Sequence, residues 1–133
     1  MRIESAEYKD GGLLRVYENE KWMVGIKNWK PANDIEGIDC LERHNGTDEL
    51  FVLLAGSCTL LFANEKGGGM EIDAEVMEPL KLYKIPRSLW HNTVTKKDTK
   101  LLLVEDSSTS SKNSDVVLLD QAQLARVREL VRP

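Results

Sequence analysis

The sequence of residues 38–54, IDCLERHNGTDELFVLL, decides the fold class of this chain. Two short, apolar-rich segments lie on either side of the Asn45-Gly46 pair, as in strands bounded by a turn. An Asn-Gly pair favours a tight hairpin, because its residues accept the positive φ angles that such turns need. We therefore predict two antiparallel strands here, with His44 at the end of the first strand and Glu49 at the start of the second.

Similar strand patterns cover the first two thirds of the chain. Residues 70–76 alternate between apolar and acidic side chains, as in a strand with one face in the core. Trp22, Val24 and Ile26 alternate in the same way. The strand candidates are 13–17, 22–26, 38–44, 49–54, 58–62, 70–76, 80–85 and 101–105. Many short strands separated by turns predict an all-β sandwich or barrel.

The C-terminal part has a different pattern. A polar, Ser-rich loop over residues 107–114 precedes one more short strand candidate, 116–119. Asp120 is then a favourable N-cap with Gln123 as its capping-box partner. The following residues place apolar side chains on one helical face, which predicts a short helix over about residues 120–131. We expect this helix to pack on the barrel or on a second subunit.

Composition excludes several classes of protein. The 133 residues suit a single domain over 1–133, and 41% hydrophobic with 30% charged residues is ordinary for a soluble globular protein. The net charge of −4 argues against a nucleic-acid partner, which needs a basic surface. No apolar stretch has membrane-spanning length, and the N-terminal residues lack the apolar segment of a secretory signal. These features predict a cytoplasmic protein with no membrane partner.

The chain has only two histidines, and both lie where strand ends can meet. His44 and Glu49 are joined by the predicted hairpin, and His91 follows the segment PRSLW at residues 86–90. If the strands close into a barrel, two imidazoles and one carboxylate can converge inside it. This set is typical of non-haem iron sites, and it also suits manganese, nickel or zinc. Taken singly, each histidine could instead be a turn residue or a satisfied core residue.

The spacing of these residues resembles the two motifs of the cupin superfamily. His44, Glu49 and Gly56 match the second half of the first motif, and Pro86 with His91 matches the second. The motifs lie within residues 42–95. The resemblance implies a small single-domain cupin: a jelly-roll β-barrel, also called a double-stranded β-helix, with a divalent metal ion inside.

The chain departs from the cupin motifs at several positions. Glu42 replaces the first histidine, Leu80 and Ser88 stand at glycine positions, and Thr95 replaces the terminal asparagine. In a strand, Glu42 and His44 point to the same face. The site implied is therefore His44, Glu49 and His91, with Glu42 as a fourth ligand, as a residue beside the metal that acts as a general acid or base, or as a partner of Arg87.

Four other residues could contribute to binding or assembly. Tyr83 and Arg87 flank the second motif and are candidate substrate-binding residues, although an exposed loop position is the more usual role for a residue such as Arg87. Trp90 should face away from His91. Trp22 and Trp29 are candidates for packing or for a homodimer interface, since small cupins usually pair.

The resemblance implies action on a small polar organic molecule, such as a sugar, an organic acid or an amino-acid derivative. A metal in such a site serves isomerases, lyases and dioxygenases, and the sequence does not choose among these. The alternative is a non-catalytic module that binds or senses a small ligand. A further alternative is a cupin that has lost its metal ion but kept the polar residues of its pocket.

Overall fold

The chain forms two antiparallel five-stranded sheets and one C-terminal helix, as seen in a computed structural model that describes residues 1–131. The helix α1 spans Gln121–Val131. The strands are β1 (Gly12–Glu18), β2 (Trp22–Asn28), β3 (Cys40–His44), β4 (Glu49–Ala55), β5 (Cys58–Lys66), β6 (Gly69–Val76), β7 (Leu82–Ile85), β8 (Trp90–Thr95), β9 (Lys100–Asp106) and β10 (Ser114–Leu118).

The strand order is that of a jelly roll. The first sheet has the order β1-β2-β9-β4-β7, and the second has the order β10-β3-β8-β5-β6. Within residues 1–131 the sheets remain two separate hydrogen-bonded units that face each other. The predicted all-β jelly roll with a short C-terminal helix is confirmed. None of the helices described is long and apolar enough to cross a bilayer.

Two apolar clusters hold these layers together. The first lies between the sheets and includes Met23, Phe51 and Leu103, each almost fully buried. The second lies on the outer face of the second sheet and includes Leu41 together with Val127 of α1. The helix begins with the predicted capping box, in which the Gln123 amide donates to Asp120 Oδ1 over 2.8 Å. Helix α1 therefore covers the outer face of the sheet that carries both histidines.

The apolar alternation of β2 does not mark its inward face. Met23 and Gly25 point into the core, whereas Trp22 is 43% exposed on the opposite face. A Cβ atom at Gly25 would lie 2.6 Å from Leu13 Cδ1, so the absence of a side chain lets neighbouring strands pack there. The inward face of β2 also includes Lys27. Because this face includes a glycine and a lysine, it cannot be recognised as the buried face from the hydrophobicity of its residues.

The strand β8, which carries His91, was not among the predicted strands. Its inward residues are polar, so it lacks the apolar alternation that indicates a strand. Hydrogen bonds make their burial possible: Thr95 Oγ1 donates to the Asn33 carbonyl, and Asn33 Nδ2 donates to the Thr93 carbonyl. Trp90 faces away from His91 as predicted, and its ring lies 4.4 Å from the Arg43 guanidinium carbon.

Two motif positions that lack glycine keep a glycine-like backbone. Leu80 has a φ of 63° and Ser88 a φ of 67°, both in the left-handed region that favours glycine. Gly56 itself has a φ of 71°. A Cβ there would lie 2.6 Å from the Asp98 carbonyl oxygen, so the β4–β5 turn requires glycine.

Candidate metal centre

The β3–β4 hairpin brings His44 and Glu49 together. His44 ends β3 and Glu49 begins β4, with residues 45–48 forming the turn between them. The loop before β8 is fastened to this hairpin, because the Ser88 amide donates to the His44 carbonyl over 2.8 Å and the Arg87 amide donates to Asp48 Oδ1 over 2.8 Å. The two halves of the site are therefore held by direct hydrogen bonds between loops.

Strand β8 places His91 beside this hairpin. In the second sheet β8 lies next to β3, and His91 is directly opposite Glu42. His91 is 2% exposed, and its Nε2 lies 3.0 Å from Glu49 Oε1. The imidazole rings of His44 and His91 meet edge to face with centroids 5.4 Å apart. The structure thus brings together residues that are 42 and 47 positions apart in sequence.

The carboxylates surround Nε2 of His44. Glu49 Oε1 lies 3.5 Å from this nitrogen and Glu42 Oε1 lies 3.8 Å from it. The side chain of Glu42 is 39% exposed, whereas that of Glu49 is 7% exposed. Glu42 therefore contacts His44 at the solvent side of the cluster, while Arg87, its other predicted partner, is exposed on the loop before β8.

Hydrogen bonds on the far side of each ring orient the imidazoles. His91 Nδ1 donates to the Leu89 carbonyl over 2.9 Å, and His44 Nδ1 is 2.8 Å from the Ser114 hydroxyl. Each Nε2 is therefore the nitrogen directed toward the carboxylates. Such outer hydrogen bonds are the usual means of fixing the ring of a metal-binding histidine.

Burial and charge act against each other in the His91–Glu49 pair. Burial alone would lower the pKa of His91, but the hydrogen bond and the negative charge of Glu49 outweigh it and raise this pKa. Burial likewise opposes ionisation of Glu49, yet the hydrogen bond from His91 and the nearby His91, His44 and Lys27 charges lower its pKa. Both residues thus favour their charged forms through each other.

Sequence reasoning missed Glu105, a further carboxylate at this site. Glu105 lies on β9 and is 8% exposed, with Oε2 4.0 Å from His44 Nε2. Burial and the neighbouring Glu49 carboxylate raise the pKa of Glu105 to about 8. The signal was available in the sequence, because Glu105 alternates in phase with Leu101 and Leu103 and so falls on the inward face of its strand.

Lys27 is a second cavity residue that was not predicted from the sequence. Its Nζ donates to Thr93 Oγ1 over 3.2 Å, and the residue lines the same cavity. Burial lowers the pKa of Lys27, and the charges of Glu42 and Glu49 partly offset this effect. The Lys27 amine therefore shares the cavity with the carboxylates of Glu42, Glu49 and Glu105.

These groups line one cavity of about 440 Å³ between the sheets. Phe51 and Leu103 form an apolar part of its wall, and Arg15 lies at its edge, where the guanidinium donates to the Ser107 and Thr109 carbonyls. Such a volume suits a small organic molecule.

Tyr83 and Arg87, the predicted substrate-binding residues, do not line this cavity. The Tyr83 ring is buried in the apolar core, where its hydroxyl accepts a hydrogen bond from the Glu78 amide over 2.9 Å. The Arg87 side chain is exposed, and its backbone amide rather than its guanidinium fastens the loop to Asp48.

The donor set fits a divalent cation. Glu42, His44 and His91 each offer one atom, and these atoms lie within 4.8 Å of one another; His44, Glu49 and Glu105 form a second such group. Imidazole nitrogens and carboxylate oxygens are the ligands used for iron, manganese, nickel and zinc. His44 belongs to both groups, so the two describe one cluster.

Comparison with solved structures identifies the fold. No protein-family description and no curated protein matches this chain. Its structure is similar to a cupin-2 domain protein from Shewanella frigidimarina, with a TM-score of 0.53 and 15% identity over 74% of this chain and 84% of that protein. It is also similar to oxalate decarboxylase from Bacillus subtilis, with a TM-score of 0.54 and 21% identity over 81% of this chain and 28% of the enzyme.

A third similar structure contains a metal. It is a hydroquinone 1,2-dioxygenase in complex with Fe3+, with a TM-score of 0.53 and 11% identity over 71% of this chain and 27% of that chain. The chain therefore has the cupin fold, as the motif resemblance predicted.

Proposed function

We propose that this protein is a metal-dependent cupin that acts on a small polar organic molecule in the cavity between its sheets. The observation that carries the proposal is the convergence of His44 Nε2, His91 Nε2 and Glu49 Oε1, with separations of 3.0 and 3.5 Å between the carboxylate oxygen and the two nitrogens. The cupin fold and the Fe3+ in one similar structure support it.

His44, His91 and Glu49 would hold the ion, and Glu42 would be a fourth ligand or a neighbouring acid or base. Three protein ligands leave coordination positions open for water or substrate, which a purely structural site lacks. A metal ion bound there would act as a Lewis acid or as a redox centre.

The remaining groups of the cavity suit the handling of an acidic substrate. Lys27 Nζ has one hydrogen bond, to Thr93 Oγ1, and its further N–H donors can bind a substrate oxygen. Phe51 and Leu103 make part of the cavity wall apolar, and electrostatic contacts are stronger beside an apolar wall than in bulk water. Glu42, which is partly exposed, can exchange a proton with solvent. Among the substrate classes considered, small organic acids fit these groups best.

Metal analysis of purified protein tests the proposal. We expect wild-type protein expressed in medium supplemented with iron, manganese, nickel or zinc to contain close to one ion per chain. His91→Ala and His44→Ala should each lower this content sharply while circular dichroism stays that of a β protein. Asp73→Asn, an exposed carboxylate on β6, is the control for adventitious binding and should have no effect.

Turnover assays on the metal-loaded protein separate an enzyme from a binding module. We expect conversion of a member of a panel of small organic acids, with little activity on neutral sugars. Saturable binding of such an acid without conversion would favour the non-catalytic module. If wild-type protein binds none of the four metals at micromolar concentration, the metal-dependent function is rejected.

We also propose that the protein is a homodimer. Tyr17 and Trp22 lie side by side on the outer face of the first sheet, with ring centroids 5.2 Å apart and exposures of 52% and 43%. A second copy covering this pair would remove a paired aromatic surface from water.

A further inference from the structure

We infer that Glu105 is a ligand of the same metal ion, so that two carboxylates from the first sheet and two imidazoles from the second sheet hold it. This inference rests on the proposed metal site and extends it to a residue outside both sequence motifs. The first sheet would supply Glu49 from β4 and Glu105 from β9, and the second would supply His44 from β3 and His91 from β8.

The position of Glu105 is that of a ligand. Its Oε2 lies 4.0 Å from His44 Nε2, and one atom each of His44, Glu49 and Glu105 lie within 4.8 Å of one another. Two ligand atoms with bonds of about 2.1 Å to one ion are separated by up to about 4.2 Å. Small side-chain rotations therefore suffice for these three residues to share an ion.

The surroundings of Glu105 call for a cation. Its Oε2 is buried and has no hydrogen-bond partner among the described residues, and its side chain is 7% exposed. A buried carboxylate oxygen without a partner is costly, and a neighbouring carboxylate adds to the cost. Glu42, at 39% exposure, keeps contact with water and needs no ion.

Charge balance supports the same set of ligands. Glu49 and Glu105 together carry two negative charges when ionised, which match one divalent ion, while neutral imidazoles add none. The other two charged groups near them, Lys27 and Glu42, have opposite signs and cancel when both are ionised. A site that is neutral overall is the favourable arrangement between two sheets, where unbalanced charge is poorly solvated. Strands β9 and β4 are neighbours, as are β3 and β8, so each pair of ligands comes from adjacent strands.

Matched substitutions at positions 105 and 42 test the inference. Glu105→Gln and Glu42→Gln each replace one carboxylate by a neutral group of the same shape. We expect the Mn2+ dissociation constant, measured by titration calorimetry, to rise more than about 100-fold in Glu105→Gln. Substitution of a residue that only supports the ligands typically weakens metal affinity about 10–100-fold. We expect Glu42→Gln to weaken Mn2+ binding by no more than this.

A structure provides the second measurement, in case Glu105→Gln does not fold. In wild-type crystals soaked with Mn2+, we expect the anomalous peak to lie at bonding distance from a Glu105 oxygen. Near-wild-type Mn2+ affinity in folded Glu105→Gln, or a Glu105 oxygen outside bonding distance in the soaked crystal, overturns the inference and leaves the proposed metal site intact. Absence of Mn2+ binding by the wild-type protein overturns both.

Discussion

At the scale of single residues, the Glu105 carboxyl group lies in an environment that opposes its ionisation. Burial is the larger cause and the Glu49 carboxylate the second, while Arg15 acts weakly in the opposite direction. The pKa of Glu105 is thereby raised to about 8 in the folded protein, compared with about 4.3 for an unperturbed glutamate. Without a cation, folding therefore favours the protonated form of this residue.

This difference predicts how the stability of the metal-free protein changes with pH. Between about pH 4.3 and pH 8 the unfolded chain has lost the Glu105 proton while the folded chain retains it, so the free energy of unfolding falls as pH rises. The glutamine side chain of the Glu105→Gln variant cannot ionise. We expect urea denaturation in the presence of a chelator to show the variant gaining stability relative to wild type from pH 5 to pH 8, with the difference levelling off above pH 8.

The other titrating groups are present in both proteins, so the comparison reports the Glu105 carboxyl together with its interaction with the neighbouring Glu49. Parallel stability curves for the two proteins over this range would show that Glu105 ionises normally in the fold. In the metal-loaded wild-type protein, the free energy of unfolding should no longer fall as pH rises over this range, because a bound cation stabilises the ionised carboxylate.

At the scale of elements, the site depends on loops as much as on strands. The loop before β8 and the β3–β4 turn are joined by the hydrogen bonds of Ser88 to His44 and of Arg87 to Asp48, and Ser88 Oγ donates to Asn45 Oδ1 over 2.9 Å. These bonds hold the two histidine-bearing segments in register. They also explain how a serine with a positive φ persists at a motif position where glycine is common.

The strained position before β7 gives a prediction at this scale. Leu80 has a φ of 63° and is 79% exposed. Its backbone is therefore strained, and little apolar surface is buried there to offset the strain. A left-handed residue with a side chain costs about 1–2 kcal/mol, and glycine loses about 0.5–1 kcal/mol more chain entropy on folding. We expect Leu80→Gly to raise the free energy of unfolding by up to about 1.5 kcal/mol in urea denaturation.

Leu82 provides the matched control for this substitution. It is 60% exposed within β7, where the backbone has an ordinary strand conformation, so glycine relieves nothing there. Leu82→Gly should lower the free energy of unfolding by at least about 0.5–1 kcal/mol. A loss of stability in both variants would mean that the Leu80 side chain contributes contacts that outweigh its strain.

At the scale of the whole molecule, the sequence predicted the fold class but only part of the site. Strong alternation and the Asn45-Gly46 pair predicted β3 and β4, and Asp120 with Gln123 predicted where α1 begins. Strand β8 was not predicted, because its inward residues are polar and their burial depends on partners such as Asn33 that are distant in sequence. Local patterns do not contain that information.

The residues of the candidate metal site were likewise predicted only in part from the sequence. His44, Glu49 and His91 could be chosen because they are rare residues at motif spacing. Glu105 could also have been chosen, because it alternates in phase with the apolar Leu101 and Leu103, whereas Lys27 lies on a strand whose inward face is shown only by the fold. Tyr83 and Arg87 were chosen for closeness in sequence to His91, but the loop and β7 direct them elsewhere.

The outer face of the first sheet gives the last prediction, which concerns assembly. Of the two tryptophans considered for an interface, Trp29 is engaged within the chain, since its Nε1 donates to Asp34 Oδ2 over 2.9 Å. Trp22 and Tyr17 are instead exposed, and Leu14, which is 44% exposed, lies on the same outer face of the sheet. Aromatic residues contribute much of the binding energy at protein interfaces, so this surface is the part of the first sheet best suited to bury against a second copy.

Sedimentation velocity measures this assembly directly. We expect wild-type protein at micromolar concentration to sediment as a dimer and Trp22→Ser to shift the population toward the 15.0 kDa monomer. The control is Val76→Ser. Val76 is 67% exposed on β6 of the second sheet, so this variant should remain dimeric. A wild-type monomer at these concentrations would reject the dimer. A dimer unaffected by Trp22→Ser but dissociated by Val76→Ser would place the interface on the second sheet instead.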